Sequence, residues 1–216
     1  MHGRAADASG GVVRGRRVRT TASDARHERA GDRVNRDFTA QCPNRTWVAD
    51  FTYVATWSGI VYVAFVVDVY SRAVVGWSAA TNKRTPLVLG ALDMGLWRRD
   101  RAGRAVARGL VHHSDAGSQG GQYTSFRFTT HLMTAGIDAS IGTVGDALDN
   151  ALMESTIGLY KTELIKPRGP WRGLADVELA TAEWGGLVQR QAASLGHRAC
   201  SARRVRNEVL RSTPAP

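Results

Sequence analysis

Residues 47–78 read WVADFTYVATWSGIVYVAFVVDVYSRAVVGWS, and this stretch decides the fold. Residues that favour strands are concentrated in three runs: Trp47 to Tyr53, Val61 to Val69 and Ala73 to Ser78. Short segments typical of turns separate the runs, with Ser58-Gly59 before the second and Tyr70-Ser71-Arg72 before the third. Connections this short join antiparallel strands, so the stretch predicts a three-stranded antiparallel meander.

The rest of the chain alternates between helical and strand patterns. Helical spacing predicts a helix from Thr85 to Trp97, with core positions at Leu87, Leu89, Leu92 and Leu96. The patterns that follow predict a strand at Gly109 to His113, a helix at Ser125 to Ala135, a strand at Ala139 to Ile141 and a helix from about Ala147 to Ile165. We therefore predict an α/β domain, a five-stranded mixed sheet flanked by helices. We assign Trp47, Trp77 and Trp97 to the core rather than to base stacking.

Composition favours a nucleic-acid partner without identifying one. The 29 Lys and Arg residues exceed the 19 Asp and Glu residues, which gives a net charge of +10. Such a charge attracts phosphate backbones, although basic proteins of other functions carry it too. The two distant cysteines, Cys42 and Cys200, argue against a disulfide framework and a zinc cluster. No apolar run approaches the roughly 18 residues of a membrane span, so we expect a cytoplasmic, nucleoid-associated protein without membrane contact.

Composition also divides the 216 residues into three segments. Residues 1–37 are rich in Arg, Gly, Ala and Asp and lack apolar periodicity, which predicts a flexible basic arm. The arginines expected to contact DNA in this arm are Arg14, Arg16, Arg17 and Arg19. Residues 38–184 contain the predicted helices and strands and form the expected core, and residues 185–216 form a basic tail.

Three acidic residues in different contexts carry the predicted chemistry. Asp50 lies in the first predicted strand, Asp115 just beyond the fourth and Glu154 in the long helix. The two aspartates can meet if their strands are neighbours, with the helix packed across them. Cutting and rejoining a phosphodiester uses two divalent cations roughly 3.5–4 Å apart, and hard cations prefer carboxylate oxygens. Together the three residues resemble the metal-binding triad of a polynucleotidyl transferase, which implies two Mg²⁺ or Mn²⁺ ions.

The helix that carries Glu154 has two further candidate residues. Asn150, Glu154 and Lys161 are separated by four and seven residues. Because this spacing places side chains on one face of a helix, we expect Asn150 to line the pocket and Lys161 to face the DNA backbone.

A resemblance to a known family is specific and covers about Val34 to Trp184. The strings WVADFTYV, VVDVYSRAVVGW, HHSDAGSQ, GIDASIGTVGDALDNALMESTIGLYKTEL and VELATAEW resemble the catalytic core of bacterial insertion-sequence transposases, in the insertion sequence three family. That family belongs to the retroviral-integrase superfamily, so the resemblance implies a ribonuclease-H-like fold. It also implies that Asp50, Asp115 and Glu154 bind the metal and that Lys161 occupies the family's basic position.

Other polar residues have simpler interpretations. Asp68 lies inside an apolar run, at a position that resembles the family's second strand and is outside the triad. No further His or Cys is spaced to complete a zinc site with His112 and His113, so we expect these two to end the strand and flank the pocket. Asp146 and Asp149 suit capping and dipole roles at the start of the helix.

The chain departs from the family's pattern near the site and at both ends. The segment Gly117 to Gln122 looks like a three-residue tandem duplication, which a glycine-rich loop absorbs at little entropic cost. The stretch from Gly185 differs from the family's tail, but a one-base shift of reading frame, with permitted codon choices, makes it family-like. The same shift makes the stretch from Met1 resemble the family. We therefore expect both ends to be translated out of frame, which would leave apolar core surface uncovered.

The sequence as a whole predicts the catalytic domain of a DDE-type transposase, either active or a truncated remnant. Element-end DNA, target DNA and further copies of the intact chain are its expected partners. A ribonuclease-H-like nuclease would use the same carboxylates to cleave without joining, and strand transfer from a pre-cut oligonucleotide separates the two. A catalytically dead DNA-binding fragment would bind DNA unchanged in Glu154→Gln and cut none.

Overall fold

A mixed sheet of five strands, in the order β3-β2-β1-β4-β5, is the centre of the computed structural model, which describes residues 31–34, 39–106, 108–114, 121–142 and 151–186. The strands are β1 (Thr46–Thr56), β2 (Gly59–Asp68), β3 (Val74–Ala80), β4 (Val111–Ser114) and β5 (Asp138–Ile141). The helices are α1 (Thr85–Arg101), α2 (Phe126–Thr134), α3 (Ala151–Tyr160), the short α4 (Lys166–Arg168) and α5, at residues 174–186; a π-helical stretch (Lys161–Ile165) connects α3 to α4. The predicted five-stranded mixed sheet flanked by helices is confirmed.

The first three strands form the predicted antiparallel meander. Strand β1 pairs with β2 over its whole length, from Trp47 opposite Asp68 to Thr56 opposite Gly59. The turn between them is therefore Trp57-Ser58, one residue earlier than predicted. Gly59 has a φ of +119°, a backbone conformation that a residue with a Cβ rarely adopts.

The other two strands extend the sheet in parallel. Strand β4 pairs with β1 from Val111 opposite Thr46 to Ser114 opposite Ala49, and β5 pairs with β4 over Asp138–Ile141. The first and fourth strands are thus neighbours, as the meeting of the two aspartates requires.

The two faces of the sheet are covered by different helices. Trp47, Ala49 and Phe51 point to the face that packs against α1 and α2. Val48 and Val54, which alternate with them on β1, point to the face covered by α3 and the segments that follow it. Strand β1 is therefore buried between two apolar layers.

Glycines allow α1 to approach the sheet closely. A Cβ added to Gly76 of β3 would collide with the carbonyl oxygen of Ala91 in α1. A Cβ added to Gly95 of α1 would lie 3.2 Å from the Trp47 ring. Larger residues at these positions would push the helix away from β3 and loosen the packing of this layer.

Helix α5 completes the second layer, and our sequence patterns did not predict it. The Tyr160 hydroxyl lies 2.8 Å from Thr181 Oγ1, and the Trp184 indole donates a hydrogen bond of 2.9 Å to Glu163. Burial raises the pKa of Tyr160 to about 12, so its hydroxyl stays protonated at neutral pH. The Trp184 ring also packs edge-on against Phe65 and Tyr160. These contacts fix α5, and with it the π-helical stretch, on the sheet.

One of the three tryptophan assignments is wrong. Trp47 and Trp77 are buried as predicted, but Trp97 is 61% exposed on the last part of α1. The Arg101 guanidinium lies 5.6 Å from the centre of its ring. Helical spacing fixes the direction of a side chain but does not show whether another element lies opposite.

Part of the predicted basic arm contacts the sheet. The Arg33 amide donates to Ser140 Oγ at 2.8 Å, the Arg33 guanidinium pairs with Asp138 at 2.9 Å, and Val34 is buried. Residues 1–30, 35–38 and 187–216 lie outside the described residues, so the remaining arm, its four arginines and the frameshifted tail stay predictions. In the described ranges, no helix has the length and apolarity needed to cross a membrane.

Asp68 anchors the end of β2 through a buried hydrogen-bond network. Its carboxylate accepts from the Asn44 amide at 3.0 Å, from the Ser71 amide and hydroxyl at 3.2 and 2.5 Å, and from the Arg99 guanidinium at 3.3 Å. The Asp68 side chain is fully buried and that of Arg99 is 12% exposed. This structural role agrees with its exclusion from the triad.

We expect Asp68→Ala to lower the free energy of unfolding by about 3–5 kcal/mol, because it leaves the largely buried Arg99 charge and two backbone amides without their acceptor. Urea unfolding of this variant and of Asp100→Ala, an exposed α1 position, measures the difference. A loss of less than about 1 kcal/mol in Asp68→Ala would show that the network is dispensable.

His112 is an uncharged member of the core. It packs against the rings of Tyr123 and Phe128, with centroids 6.1 and 5.3 Å away. Neither ring nitrogen has a hydrogen-bond partner within the part of the chain that the structure describes. Burial lowers the pKa of His112 from 6.5 to about 4.

We predict that His112 makes the protein sensitive to acid. The unfolded chain takes up a proton near pH 6.5 and the folded chain only near the lowered pKa of about 4. His112 therefore does not lower the free energy of unfolding above about pH 6.5, and it lowers it by about 3 kcal/mol by about pH 4. Urea unfolding at about pH 7 and about pH 4.5 should show a smaller loss for His112→Leu than for the parent chain. Equal losses in both proteins would contradict the assignment.

Candidate active site

Asp50 is held in the middle of the central strand. It pairs with Phe65 of β2, and the Phe51 amide donates a hydrogen bond of 2.7 Å to Asp50 Oδ1. Alternation along β1 gives it the same face as Val48 and Val54, the face covered by α3. The side chain is only partly buried, in contrast to the residues on either side.

The parallel pairing of β1 and β4 ends beside Asp50. Ser114, the last residue of β4, is opposite Ala49, the residue before Asp50. Asp115 follows Ser114 in the chain and lies outside the described residues. The residues that immediately precede the two predicted aspartates, Ala49 and Ser114, therefore lie opposite each other in the sheet.

Helix α3 carries Glu154 across this face. Met153 is fully buried in the same apolar cluster as Val48, which fixes the first turn of α3 against β1. Glu154 is exposed beside it, and its side chain forms no ion pair or hydrogen bond in the described part of the chain. Asn150 lies outside the described residues, so its place in the pocket stays a prediction.

Lys161 begins the π-helical stretch. Its ammonium lies 5.2 Å from the centre of the Tyr53 ring, and Tyr53 is three residues after Asp50 on β1. Lys161 is predicted from the sequence but Tyr53 is not, because one aromatic residue in an apolar strand does not distinguish an exposed position from a core one.

Contacts of one histidine and one tyrosine lie near the end of β4 and the neighbouring part of β1. His113 Nδ1 lies 2.9 Å from Ser140 Oγ and 3.6 Å from Asp32 Oδ1. Tyr123, which the sequence analysis did not select, is buried against Phe51. Burial, and secondly the Asp50 charge, raise the pKa of Tyr123 well above its ordinary value, so its hydroxyl stays protonated at neutral pH.

The described carboxylates suit a hard divalent cation. Asp50 offers oxygen ligands from strand β1, and Glu154 offers them from helix α3, which covers the same face of that strand. The exposed Glu154 carboxylate has no competing cationic partner within the described ranges. No three His, Cys, Asp or Glu side chains in these ranges form a group that could hold a metal, and the third predicted ligand, Asp115, is not among them. The donor chemistry therefore fits Mg²⁺ or Mn²⁺.

Relatives identify the lineage of the chain. The Integrase core domain family matches residues 40–147, a range that includes Asp50 and Asp115 and ends before Glu154. A protein assigned as the transposase of insertion sequence element IS986/IS6110 of Mycobacterium tuberculosis is 51% identical over 174 residues, which are 81% of this chain and 62% of that protein. The transposase for insertion sequence element IS629 of Shigella sonnei is 50% identical over 81% of this chain and 55% of its own length. The chain thus spans about three fifths of the length of these relatives.

A solved structure has the same fold. In the simian T-cell lymphotropic virus intasome, determined with the PP2A regulatory subunit B56 gamma, one chain superimposes with a TM-score of 0.50 at 20% identity. The match covers 68% of this chain and 50% of that one. The ribonuclease-H-like fold implied by the sequence is thereby confirmed, and the chain belongs to the Integrase core domain family, with close relatives among insertion-sequence transposases.

Proposed function

We propose that this chain is the catalytic domain of a DDE transposase, which cleaves DNA strands at the ends of an insertion-sequence element and joins them to a target. One observation carries the proposal. Asp50 and the strand end that precedes Asp115 lie side by side, under the helix that carries Glu154. Carboxylates from two strands and a crossing helix are the arrangement that metal-dependent phosphoryl transfer needs.

Asp50, Asp115 and Glu154 would hold two divalent cations, Mg²⁺ or Mn²⁺. When bound, these ions activate the attacking oxygen and stabilise the leaving oxygen of the phosphodiester. The protein contributes pre-organisation: continuous pairing with β2 and the Phe51 amide hold Asp50 in place, and burial of Met153 holds the start of α3.

Positive charge would hold the DNA itself. The net charge of +10 favours phosphate backbones. Lys161, at the start of the π-helical stretch that follows the Glu154 helix, places an ammonium near β1. We include Asn150 and the four arginines at positions 14, 16, 17 and 19 as further DNA contacts.

The partners we propose are element-end DNA, target DNA and other copies of the chain. Two element ends must be joined in one reaction, so more than one protomer is required. The solved chain that shares the fold belongs to a viral intasome, which supports an assembly of more than one component.

We predict that Glu154→Gln and Asp50→Asn each lower strand cleavage and strand transfer by about 10²–10³-fold, because removing a ligand charge costs several kcal/mol of transition-state stabilisation. The assay uses a labelled duplex with the element ends, with Mg²⁺ or Mn²⁺, and a pre-cut duplex that reports joining alone.

Asp100→Asn is the matched control. It removes an exposed carboxylate from α1, in the layer on the other side of the sheet, and should retain full activity. Retained joining in Glu154→Gln would refute the assignment. Cleavage without joining in the parent chain would instead indicate a nuclease, and DNA binding without either reaction a catalytically dead fragment.

A further inference from the structure

An exposed aromatic residue lies on the strand that carries Asp50. Tyr53 is 54% exposed, whereas Thr52 and Val54 on either side of it are buried. Three residues along a strand correspond to about 10 Å, and this odd spacing directs the Tyr53 side chain to the face opposite to that of Asp50. An exposed ring so near to a candidate metal ligand is accessible to a bound nucleic acid.

Lys161 approaches this ring from the helical layer that contains α3 and α5. The π-helical stretch that it begins packs with Val48 and Val54, on the face opposite to Phe51. Tyr53 alternates in step with Phe51, so the Lys161 side chain has to pass the edge of β1 to bring its ammonium to 5.2 Å from the ring centre. Strand β2 occupies one edge of β1 over its whole length. The side chain therefore passes the other edge, where the described pairing with β4 reaches Ala49.

That edge leads directly to the candidate active site. Described pairing at this edge consists of β4, opposite Thr46 to Ala49, and a single bridge between Thr56 and Trp171. Asp50 and Tyr53 both lie in the interval between these two contacts. A ring that holds the ammonium here places positive charge at the edge of the strand that carries Asp50, three residues further along β1.

We propose that Tyr53 is a positioning residue, whose ring holds the Lys161 ammonium at the edge of β1 so that it meets a DNA phosphate beside Asp50. A lysine side chain has four rotatable bonds and loses much entropy when it is fixed. The negative face of an aromatic ring attracts a cation, which reduces the number of conformations before DNA arrives. This inference rests on the proposed function for the identity of the nucleic acid, but it concerns binding and can be tested without catalysis.

The experiment is a double-mutant cycle on DNA affinity. The full chain, Tyr53→Leu, Lys161→Gln and the double variant bind a fluorescent duplex of about 30 base pairs, without divalent metal, at several salt concentrations. Lys161→Gln should weaken binding several-fold and reduce the salt slope by about 1, as loss of one phosphate contact requires. Tyr53→Leu should weaken binding about 2- to 5-fold, the range expected for an exposed cation–π contact.

If Tyr53 acts by positioning Lys161, the effects of the two substitutions on DNA affinity are not additive. The double variant should bind as Lys161→Gln does, because the ring has no ammonium left to hold. Tyr53→Phe keeps the ring face and should bind within about 2-fold of the parent chain. Trp97→Leu is the matched control, since it removes an exposed ring of similar contact geometry, 5.6 Å from Arg101, on α1, and should not change DNA affinity.

An effect of Tyr53→Leu that persists undiminished in the Lys161→Gln background would overturn the inference, as would equal losses in Trp97→Leu. Its failure is distinct from that of the proposed function. A chain that cuts and joins DNA but shows additive variants retains the function and loses the inference; a chain that shows the coupling but no cleavage retains the inference and loses the function.

Discussion

Strand β1 has to bury both of its faces, and the other elements are arranged to meet that requirement. Helices α1 and α2 cover the face with Trp47 and Phe51, and the layer from α3 to α5 covers the face with Val48 and Val54. A charged side chain on such a strand has a place only where its cover ends. Asp50 occupies such a place: it is partly exposed between buried neighbours, one residue beyond the last described pairing with β4. The burial of the strand and the position of the candidate ligand are therefore parts of one constraint.

Two acidic residues of the domain, Asp68 and Glu154, lie in opposite environments. Asp68 is completely removed from solvent, and its charge is compensated by Arg99 and by backbone and hydroxyl donors. Glu154 is exposed, and among the described residues nothing neutralises it. A carboxylate that lacks a protein partner is left to water or to a cation. The contrast explains, in terms of desolvation, why the acid inside the apolar run is structural while the acid on the helix is a candidate ligand.

Much of this could be predicted from sequence, and the failures have identifiable causes. The meander followed from β-branched runs with short turns, and helix α1 from the spacing of Leu87 and Leu92, since both signals are local. The parallel pairing of β1 with β4 could not be predicted from local patterns, because it joins segments more than sixty residues apart. Trp97 was misassigned because periodicity gives a direction without a neighbour. The Tyr53–Lys161 contact was missed because it depends on the path of a side chain around the edge of a strand.

The contact of residues 31–34 with the end of the sheet sets a limit on how the core can be shortened. Family similarity begins at residue 40 and the first strand at Thr46, so a truncated protein starting at either point would retain every strand and helix described. It would nevertheless lose the side chain of Val34 from the core and the amide that donates to Ser140, whose hydroxyl also contacts His113 next to the end of β4. The smallest piece that keeps this end of the sheet intact therefore begins no later than residue 31, and a domain fused there is tethered beside β5.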